Sequence, residues 1–312
     1  MSKGLHASSF HEIKLQEVIL MSPQEYHPRF SPIILFGIAV LLMAFQPLHA
    51  QSLDELIEST WAKYNRIIST PGSVPAELQP LHVQLFDPNP VVRIRAVQGL
   101  SLAGGPMAAL LTLRAMDDST EKSAAVRLEA ALGLGEVAGR QALEVLGVGI
   151  DDADQTVRTR VLESLRWAGT VFAVPYISLA LNGDPSNKRP KDKVIGVRLE
   201  AVRMLRKIGT QFSVQPLADA LTGPQQDKDI TIRKAAADAL GEIGKKERDV
   251  ARYLGNAYTP EKNLGVKLEI IKSLGKVRDR AGLPYLEVAM KDRNPTLKMR
   301  ATRVYGRVLG LQ

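Results

Sequence analysis

The chain has 312 residues, a net charge of +8 from 41 Lys and Arg against 33 Asp and Glu, and no cysteine. Without cysteine it forms no disulfide, carries no lipid on a cysteine and has no thiolate ligand for zinc. A chain of this length can bury a large core, and packing alone must then stabilise it.

Residues 1–50 differ in composition from the rest of the chain. The stretch Phe30–Leu48 has no charged side chain, follows a basic residue and ends shortly before Ala50. A basic residue, an apolar stretch of about 7–15 residues and a small residue at the end are typical of a secretory signal peptide. We therefore predict that residues 1–50 are an N-terminal extension and signal peptide, and that cleavage near Ala50 makes the protein periplasmic or secreted. The alternative is a membrane anchor at Phe30–Leu48, since about 18 uncharged residues could span a bilayer.

Cleavage at this point would leave His82 as the only histidine of the mature chain. A four-ligand zinc site or a Ser-His-Asp triad would have to use it, and no nucleophile motif lies near it. Gly133-Leu-Gly135 falls inside a predicted helix, where glycine allows close packing, and is not a phosphate-binding loop. This inventory favours a protein that is not an enzyme and needs neither metal nor cofactor.

The first predicted helix after this segment begins at a capping box. Ser52-Leu-Asp-Glu55 predicts a helix that starts there and runs to about Ile68. A turn rich in Pro and Gly follows, and then a short helix from Leu78 to Asp87. We interpret these two helices as a divergent first pair of a longer array.

From Val92 onward one pattern occurs seven times. A basic residue follows an apolar one at intervals of 34, 31, 40, 35, 34 and 31 residues. Small or apolar residues stand three, seven and ten positions after each basic residue, which is the spacing of one helix face. The basic residues are Arg93, Arg127, Arg158, Arg198, Arg233, Lys267 and Lys298. A fixed period in this range is typical of a solenoid.

Each repeat is interpreted as two helices. The A helix carries the basic residue; in the copy at 229–244, Asp229 is placed to cap its start and Gly244 to end it in the left-handed conformation. A shorter B helix follows, as in the segment Leu283–Met290. We predict that residues 51–312 form an all-α solenoid, a superhelix of about seven stacked antiparallel helix pairs with a terminal helix Pro295–Leu309.

The pattern Asp-(x)n-Val-Arg-x-x-Ala-x-x-x-Leu-Gly resembles the HEAT repeat, in the short bacterial form of phycobilin-lyase-type repeat proteins, over about residues 76–309. The resemblance implies a ladder of hydrogen bonds between turn aspartates and A-helix arginines of neighbouring repeats. The matching residues are Asp87 with Arg93, Asp117 or Asp118 with Arg127, Asp152 with Arg158, Asp227 or Asp229 with Arg233, and Arg198 in the equivalent position. Lysine cannot make the two-pronged contact, so the ladder should weaken at Lys267 and Lys298.

Two sets of residues are candidates for binding a partner. Tyr176, Tyr253 and Tyr285 share one B-helix position, and the resemblance places B helices on the concave face, so they could form an aromatic stripe there. The alternative is that each ring packs on a neighbouring repeat. The second set lies in the insertion that lengthens one interval, and insertions in solenoids are often on the binding face. Its basic residues are Lys188, Arg189, Lys191 and Lys193.

These features favour an exported, non-enzymatic scaffold or adaptor that binds a protein partner. The excess of basic residues favours an acidic protein or an anionic envelope surface through long-range electrostatic steering. One alternative is an accessory or lyase-like enzyme subunit that holds a protein substrate. Another is a nucleic-acid-binding repeat protein, which an export signal disfavours.

The first testable prediction concerns the mature N-terminus. Because Ala50 ends the signal-like segment, the mature chain should begin at Gln51. Mass spectrometry of the protein from envelope fractions measures this directly. An intact Phe30–Ala50 segment in membrane-bound protein would instead identify an anchor.

Overall fold

The structure is a computed structural model that describes residues 52–137, 139–168, 171–186 and 188–311. Throughout these residues the regular structure is helical, and the predicted all-α solenoid is confirmed. In the described part of the chain no helix has both the length and the apolarity to cross a bilayer. The signal-like segment Phe30–Leu48 lies outside the described residues, so its prediction stays open.

Seven A helices form one layer, and each packs against the next. The first six have 14 residues each and the last has 15. They are α3 (Pro90–Ala103), α6 (Ala124–Val137), α8 (Gln155–Ala168), α10 (Ile195–Ile208), α12 (Ile230–Ile243), α14 (Leu264–Val277) and α16 (Pro295–Leu309). Their equal length follows from the equal spacing of apolar residues in the sequence.

The B helices form the second layer. They are α2 (Gln79–Gln84), α4 (Gly105–Leu111) with its continuation α5 (Leu113–Met116), α7 (Arg140–Val148), α9 (Val174–Asn182), α11 (Val214–Leu221), α13 (Val250–Tyr258) and α15 (Leu283–Met290). The core lies between the two layers. The leucine seven positions after each basic residue is at most 2% exposed in the first six repeats, so this position holds A and B helices together by apolar burial.

Polar caps start several A helices. The side chains of Asn89, Asp229, Asn263 and Asn294 accept backbone N–H groups of the first turn. The predicted left-handed end at Gly244 is wrong, because its φ is −67°. A Cβ on Gly244 would lie 2.6 Å from Val277 and 2.9 Å from Val250. Close packing between repeats, rather than backbone conformation, therefore requires glycine there.

The first helix, α1 (Leu53–Ser69), departs from the expected array. Its predicted capping box is present, with Ser52 N–H donating to Glu55 and Glu55 N–H donating to Ser52. The predicted pairing with α2 is wrong, however, because α1 packs mainly against α7 and also touches α4. The turn between α1 and α2 contains Gly72 at φ +74°, a conformation that glycine adopts at little cost. Helix α1 is thus outside the layer of A helices.

An arginine ladder connects the first six repeats. In five of them the arginine Nε and Nη2 groups donate to both carboxylate oxygens of one acidic residue in the next repeat, at 2.6–2.8 Å and 2.8–3.2 Å respectively. The pairs are Arg93–Glu121, Arg127–Asp152, Arg158–Asp192, Arg198–Asp227 and Arg233–Glu261. Such two-pronged, charge-assisted contacts are the strong type of ion pair.

Each arginine also binds its own repeat. Its Nη1 donates to the backbone carbonyl of the residue six positions earlier, at 2.7–2.9 Å. From the second repeat onward, that residue is the one whose carboxylate accepts the arginine of the preceding repeat, and its carboxylate also accepts the N–H two residues further on. One acidic residue therefore joins two repeats and shapes the turn before the A helix.

The ladder corrects several predicted pairs. Asp87 and Asp152 reach Arg93 and Arg158 through their backbone carbonyls, not through their carboxylates. The carbonyl that Arg127 reaches belongs to Glu121, while Asp117 and Asp118 bind other groups. Asp229 caps its own helix, and the carbonyl of Asp227 serves Arg233. The physical reason is distance. The arginine side chain is long enough to reach a carboxylate of the next repeat, and the carbonyl that precedes the A helix already lies within reach in the arginine's own turn.

The ladder changes at its C-terminal end as the lysines predict. Lys267 makes a single contact to Asp292 at 3.0 Å, and the hydroxyl of Tyr258 donates to the same carboxylate at 2.9 Å. Hydrogen bonds lower the pKa of Asp292 to about 2; the one from the Asn294 backbone has the largest effect and the one from Lys267 the next largest. Lys298 is exposed on the last A helix.

We predict that Arg233→Ala destabilises the fold far more than Arg206→Ala does. Arg233 and Glu261 are 11% and 3% exposed, whereas Arg206 is 45% exposed and pairs with Asp238 on a neighbouring helix. Breaking a buried pair costs about 3–5 kcal/mol, and a surface pair is worth about 0–1 kcal/mol. Urea unfolding of both variants measures the difference. Equal, small effects would show that the ladder does not stabilise the stack.

A second prediction concerns the contact between α1 and α2. The Tyr64 hydroxyl and His82 Nε2 are 2.8 Å apart, and burial, followed by the charge of Arg114, lowers the pKa of His82. The unfolded chain then binds a proton more readily than the folded chain, so stability is full above about pH 6.5 and falls as the pH drops further.

The melting temperature should therefore fall between about pH 7.5 and 5.5, and His82→Phe should remove that part of the pH dependence. Two ladder carboxylates, Glu121 and Glu261, do not interfere in this window: burial raises their pKa values, but hydrogen bonds from Arg93 and Arg233 and from backbone N–H groups outweigh it and keep the pKa values low. Equal slopes for wild type and variant would contradict the assignment to His82.

Candidate partner-binding surface

Two of the three tyrosines, Tyr176 and Tyr285, pack between repeats. Tyr176 is 4% exposed, and burial, with the charge of Glu144 second, raises its pKa strongly. Its ring lies where a Cβ on Gly147 would be, 2.7 Å away. The prediction that Tyr176 offers contact area to a partner is therefore wrong. B-helix glycine at this point leaves a space that the tyrosine of the next repeat fills.

The other two tyrosines are half-buried. The Tyr285 ring covers Gly255 of α13, and its hydroxyl donates to Asn256 at 3.1 Å. Tyr253 packs against the core with part of its ring exposed. These positions have packing functions, so they do not form a continuous exposed aromatic stripe.

The inserted loop is tied to both neighbouring repeats. Arg189 forms a two-pronged ion pair with Asp151 of the preceding repeat and is 15% exposed. Lys191 lies 3.4 Å from the Asp227 carboxylate and donates to backbone carbonyls of the following repeat. Only Lys188 and Lys193 of the four predicted basic residues are exposed. The prediction that all four are available to a partner is therefore wrong for Arg189 and Lys191.

Much of the positive charge on the A helices is paired with acidic residues. Lys276 lies 2.5 Å from Asp238, which also pairs with Arg206 at 3.3 Å. Lys272 lies 2.8 Å from Glu269 in its own helix. Helices α10, α12 and α14 therefore do not carry a continuous strip of unpaired basic residues.

A groove on the A-helix side remains open to solvent. It crosses α6, α8 and α10 and has a volume of about 590 Å³. Trp167, at the end of α8, is 68% exposed beside it, and Leu132 of α6 is 41% exposed. The Arg166 guanidinium lies 3.8 Å from the centre of the Trp167 ring, a cation–π contact that holds the indole in place. We call this the Trp167 groove.

The rim of the Trp167 groove is charged. Arg160 and Arg203 both pair with Glu163, at 3.0 and 3.1 Å. Arg203 also binds Glu200, and this hydrogen bond, followed by the interaction with Glu163, raises the pKa of its guanidinium. The lining contains four basic residues and two acidic ones, namely Arg160, Arg166, Arg203, Lys207, Glu136 and Glu163. The groove thus joins an exposed apolar surface to a rim with net positive charge.

The sequence contained a signal for Trp167 that the repeat analysis missed. The tryptophan stands nine positions after Arg158. Of the other six repeats, all but the first have a charged residue at the same position. Those residues are Glu136, Lys207, Glu242, Lys276 and Arg307. A position that is otherwise charged faces water, so a tryptophan there is an exposed aromatic residue and a candidate contact.

Within the part of the chain that the structure describes, no three His, Asp or Glu side chains come together to hold a metal ion. His82 lies within hydrogen-bond distance of the Tyr64 hydroxyl and meets the Phe86 ring edge to face, with ring centres 5.4 Å apart.

Comparison with known families identifies the repeat. Residues 76–166 match the model of HEAT repeats, so the resemblance drawn from the sequence is confirmed. The matched segment runs from before α2 to the end of α8 and contains the first three ladder arginines. No curated protein matches the chain in sequence.

Three solved structures are among those to which the chain is similar. Human deoxyhypusine hydroxylase in complex with glycerol is 18% identical, with 85% of this chain and 92% of that chain covered and a TM-score of 0.36. The complex of CpcE and CpcF of phycocyanin lyase from Nostoc sp. PCC7120 is 18% identical, with 78% and 97% covered and a TM-score of 0.38. An engineered protein is 16% identical, with 75% and 96% covered and a TM-score of 0.28.

These structures correct one prediction. Two of them are named for enzymes, so an all-helical repeat architecture does not support the prediction that the chain is not an enzyme, and that prediction is wrong as drawn. At such identities and TM-scores the likeness says nothing further about what this chain binds or does.

Proposed function

We propose that this protein is an exported scaffold whose HEAT-repeat solenoid binds a protein partner in the Trp167 groove. The partner segment would carry an apolar side chain for the groove and acidic residues for its rim.

The exposed indole of Trp167 carries the proposal. Tryptophan and arginine are enriched among the residues that dominate binding energy at protein interfaces. Here the indole is 68% exposed and lies under the Arg166 guanidinium. Contact with Arg166 restrains the ring before binding, which lowers the entropy lost when a partner covers it.

The charges on the rim support an acidic partner. Arg160 and Arg203 share Glu163, and Arg203 also binds Glu200, so carboxylates hold these two arginines at the groove, and the remaining basic residues of the rim are Arg166 and Lys207. Exposed basic residues mainly speed association and make it depend on salt, whereas buried apolar anchors mainly slow dissociation. The charges on the rim would therefore mainly set the association rate, and the indole would mainly set the lifetime of the complex.

We predict that Trp167→Ala weakens partner binding by about 30-fold or more, since truncating a dominant contact costs about 2 kcal/mol. Cross-linking and affinity capture from envelope fractions supply the partner, and surface-immobilised kinetics at two salt concentrations give both rates. Leu102→Ala is the matched control, because Leu102 is an exposed apolar residue of the same layer, 89% exposed and outside the groove.

The two groups of substitutions should act on different rates. Trp167→Ala should raise the dissociation rate, whereas Arg203→Ala with Lys207→Ala should lower the association rate and reduce its salt dependence. If Trp167→Ala and Leu102→Ala bind the captured partner equally well, the groove is not its binding site.

A further inference from the structure

Helix α1 lies on the B-helix layer as a separate, amphipathic segment. Its buried residues Leu53, Leu56, Thr60 and Tyr64 recur at steps of three and four positions, which places them on one helix face. That face packs against α7 and touches α4. A helix whose apolar stripe fits a surface formed by other helices is the geometry of helix-in-groove recognition.

The surface beneath α1 has a shaped recess. A Cβ on Gly147 of α7 would lie 3.0 Å from Leu56 and 2.7 Å from Tyr176. Glycine at this position therefore makes room for the leucine of α1 as well as for the tyrosine of the next repeat. Any larger residue at 147 would fill the recess that Leu56 occupies.

Three polar contacts fix the position of α1 along this surface. Lys63 Nζ lies 2.6 Å from the Glu144 carboxylate of α7. The Trp61 indole N–H donates to Asp117 at 2.7 Å, and the Tyr64 hydroxyl is 2.8 Å from His82. The three groups that bind α1 belong to three different parts of the array, so a helix must carry all three side chains in register to make every contact.

The surface keeps its polar groups satisfied without α1. Glu144 accepts hydrogen bonds at 3.2 Å from Arg140 and Gln141 on its own helix. Asp117 accepts the backbone N–H of Ser119 at 2.8 Å. Loss of α1 therefore leaves neither carboxylate as an isolated buried charge, which is the condition that makes the removal of a charged partner costly.

The array is also complete without α1. The ladder begins at Arg93, and the layer of A helices begins at α3. Residues 70–78 join α1 to α2 without regular helix and include Gly72 at φ +74°. Movement of α1 about this linker would break no ladder contact and open no gap between A helices.

From these observations we propose that the B-helix surface at α4 and α7 is a docking site for an amphipathic helix of another protein, and that α1 occupies it in cis. The fitting helix carries two apolar residues three positions apart, followed by an aromatic pair on either side of a lysine, as α1 does. It competes with α1 and engages Glu144 through its lysine. This site is separate from the Trp167 groove, so the inference stands independently of the proposed function.

The test uses the full chain and a fluorescent peptide with the sequence of residues 52–70. Leu56→Asp places a charge in the apolar contact of α1 and should release it. Because a tethered competitor lowers the apparent affinity for a free ligand, the peptide should bind Leu56→Asp about tenfold or more tightly than wild type. Ala62→Asp is the matched control, since Ala62 is exposed on the same helix, and it should bind as wild type does.

A charge exchange tests the register of the bound helix. Adding Glu144→Lys to Leu56→Asp should weaken the peptide, and a peptide with Lys63→Glu should restore binding to that double variant. The full-chain variant Lys63→Glu offers a second route to release α1, because it repels Glu144 without altering an apolar contact. Circular dichroism confirms that the variants keep their helix content.

Three results would overturn the proposal. One is a folded Leu56→Asp variant and a folded Lys63→Glu variant that both fail to bind the peptide more tightly than wild type. Another is a wild-type dimer, detected by light scattering, that the Leu56→Asp substitution abolishes; it would assign the site to α1 of a second copy. The third is peptide binding that the charge exchange leaves unchanged, which would mean that the peptide binds nonspecifically and not in the proposed register.

Discussion

The guanidinium group of one arginine connects each repeat to the next through most of this solenoid. Two of its N–H groups bind a carboxylate ahead, and a third binds a carbonyl in its own turn. The same carboxylate accepts the backbone N–H that prepares the next A helix. Turn conformation, helix start and repeat stacking thus depend on one set of hydrogen bonds. Since a buried polar group that loses its partner costs free energy, none of these three can change alone.

The period of the sequence was enough to predict the architecture because the same helix face must be buried in every copy. The seven basic positions and their apolar companions place all seven A helices. The acceptors were only partly predicted. An acidic residue stands six positions before every basic one, and in two repeats it is Glu121 or Glu261. A search restricted to aspartate misses those two, and spacing does not say which repeat a carboxylate reaches.

Other features depend on tertiary contacts that the repeat pattern does not contain. The capping box of α1 was predicted, yet the place where α1 docks is decided by Glu144 and the recess at Gly147, far away in sequence. The tyrosine position looked the same in three copies, but Tyr176 and Tyr285 each fill the space over a glycine of the preceding B helix. The exposure of Trp167 follows from the sequence only by comparison with the charged residues at the same position in other repeats.

The direction of the ladder has a consequence for how such a chain could grow. Each repeat from the second to the fifth offers a carboxylate backward and an arginine forward, as Asp152 and Arg158 do. Duplication or loss of one whole unit in the gene would join a donor to an acceptor again, without leaving an unmatched charge. The insertion before Asp192 shows the same tolerance, because the added residues lie ahead of the ladder position and leave it intact. Repeat number is therefore a quantity that evolution can change in single steps.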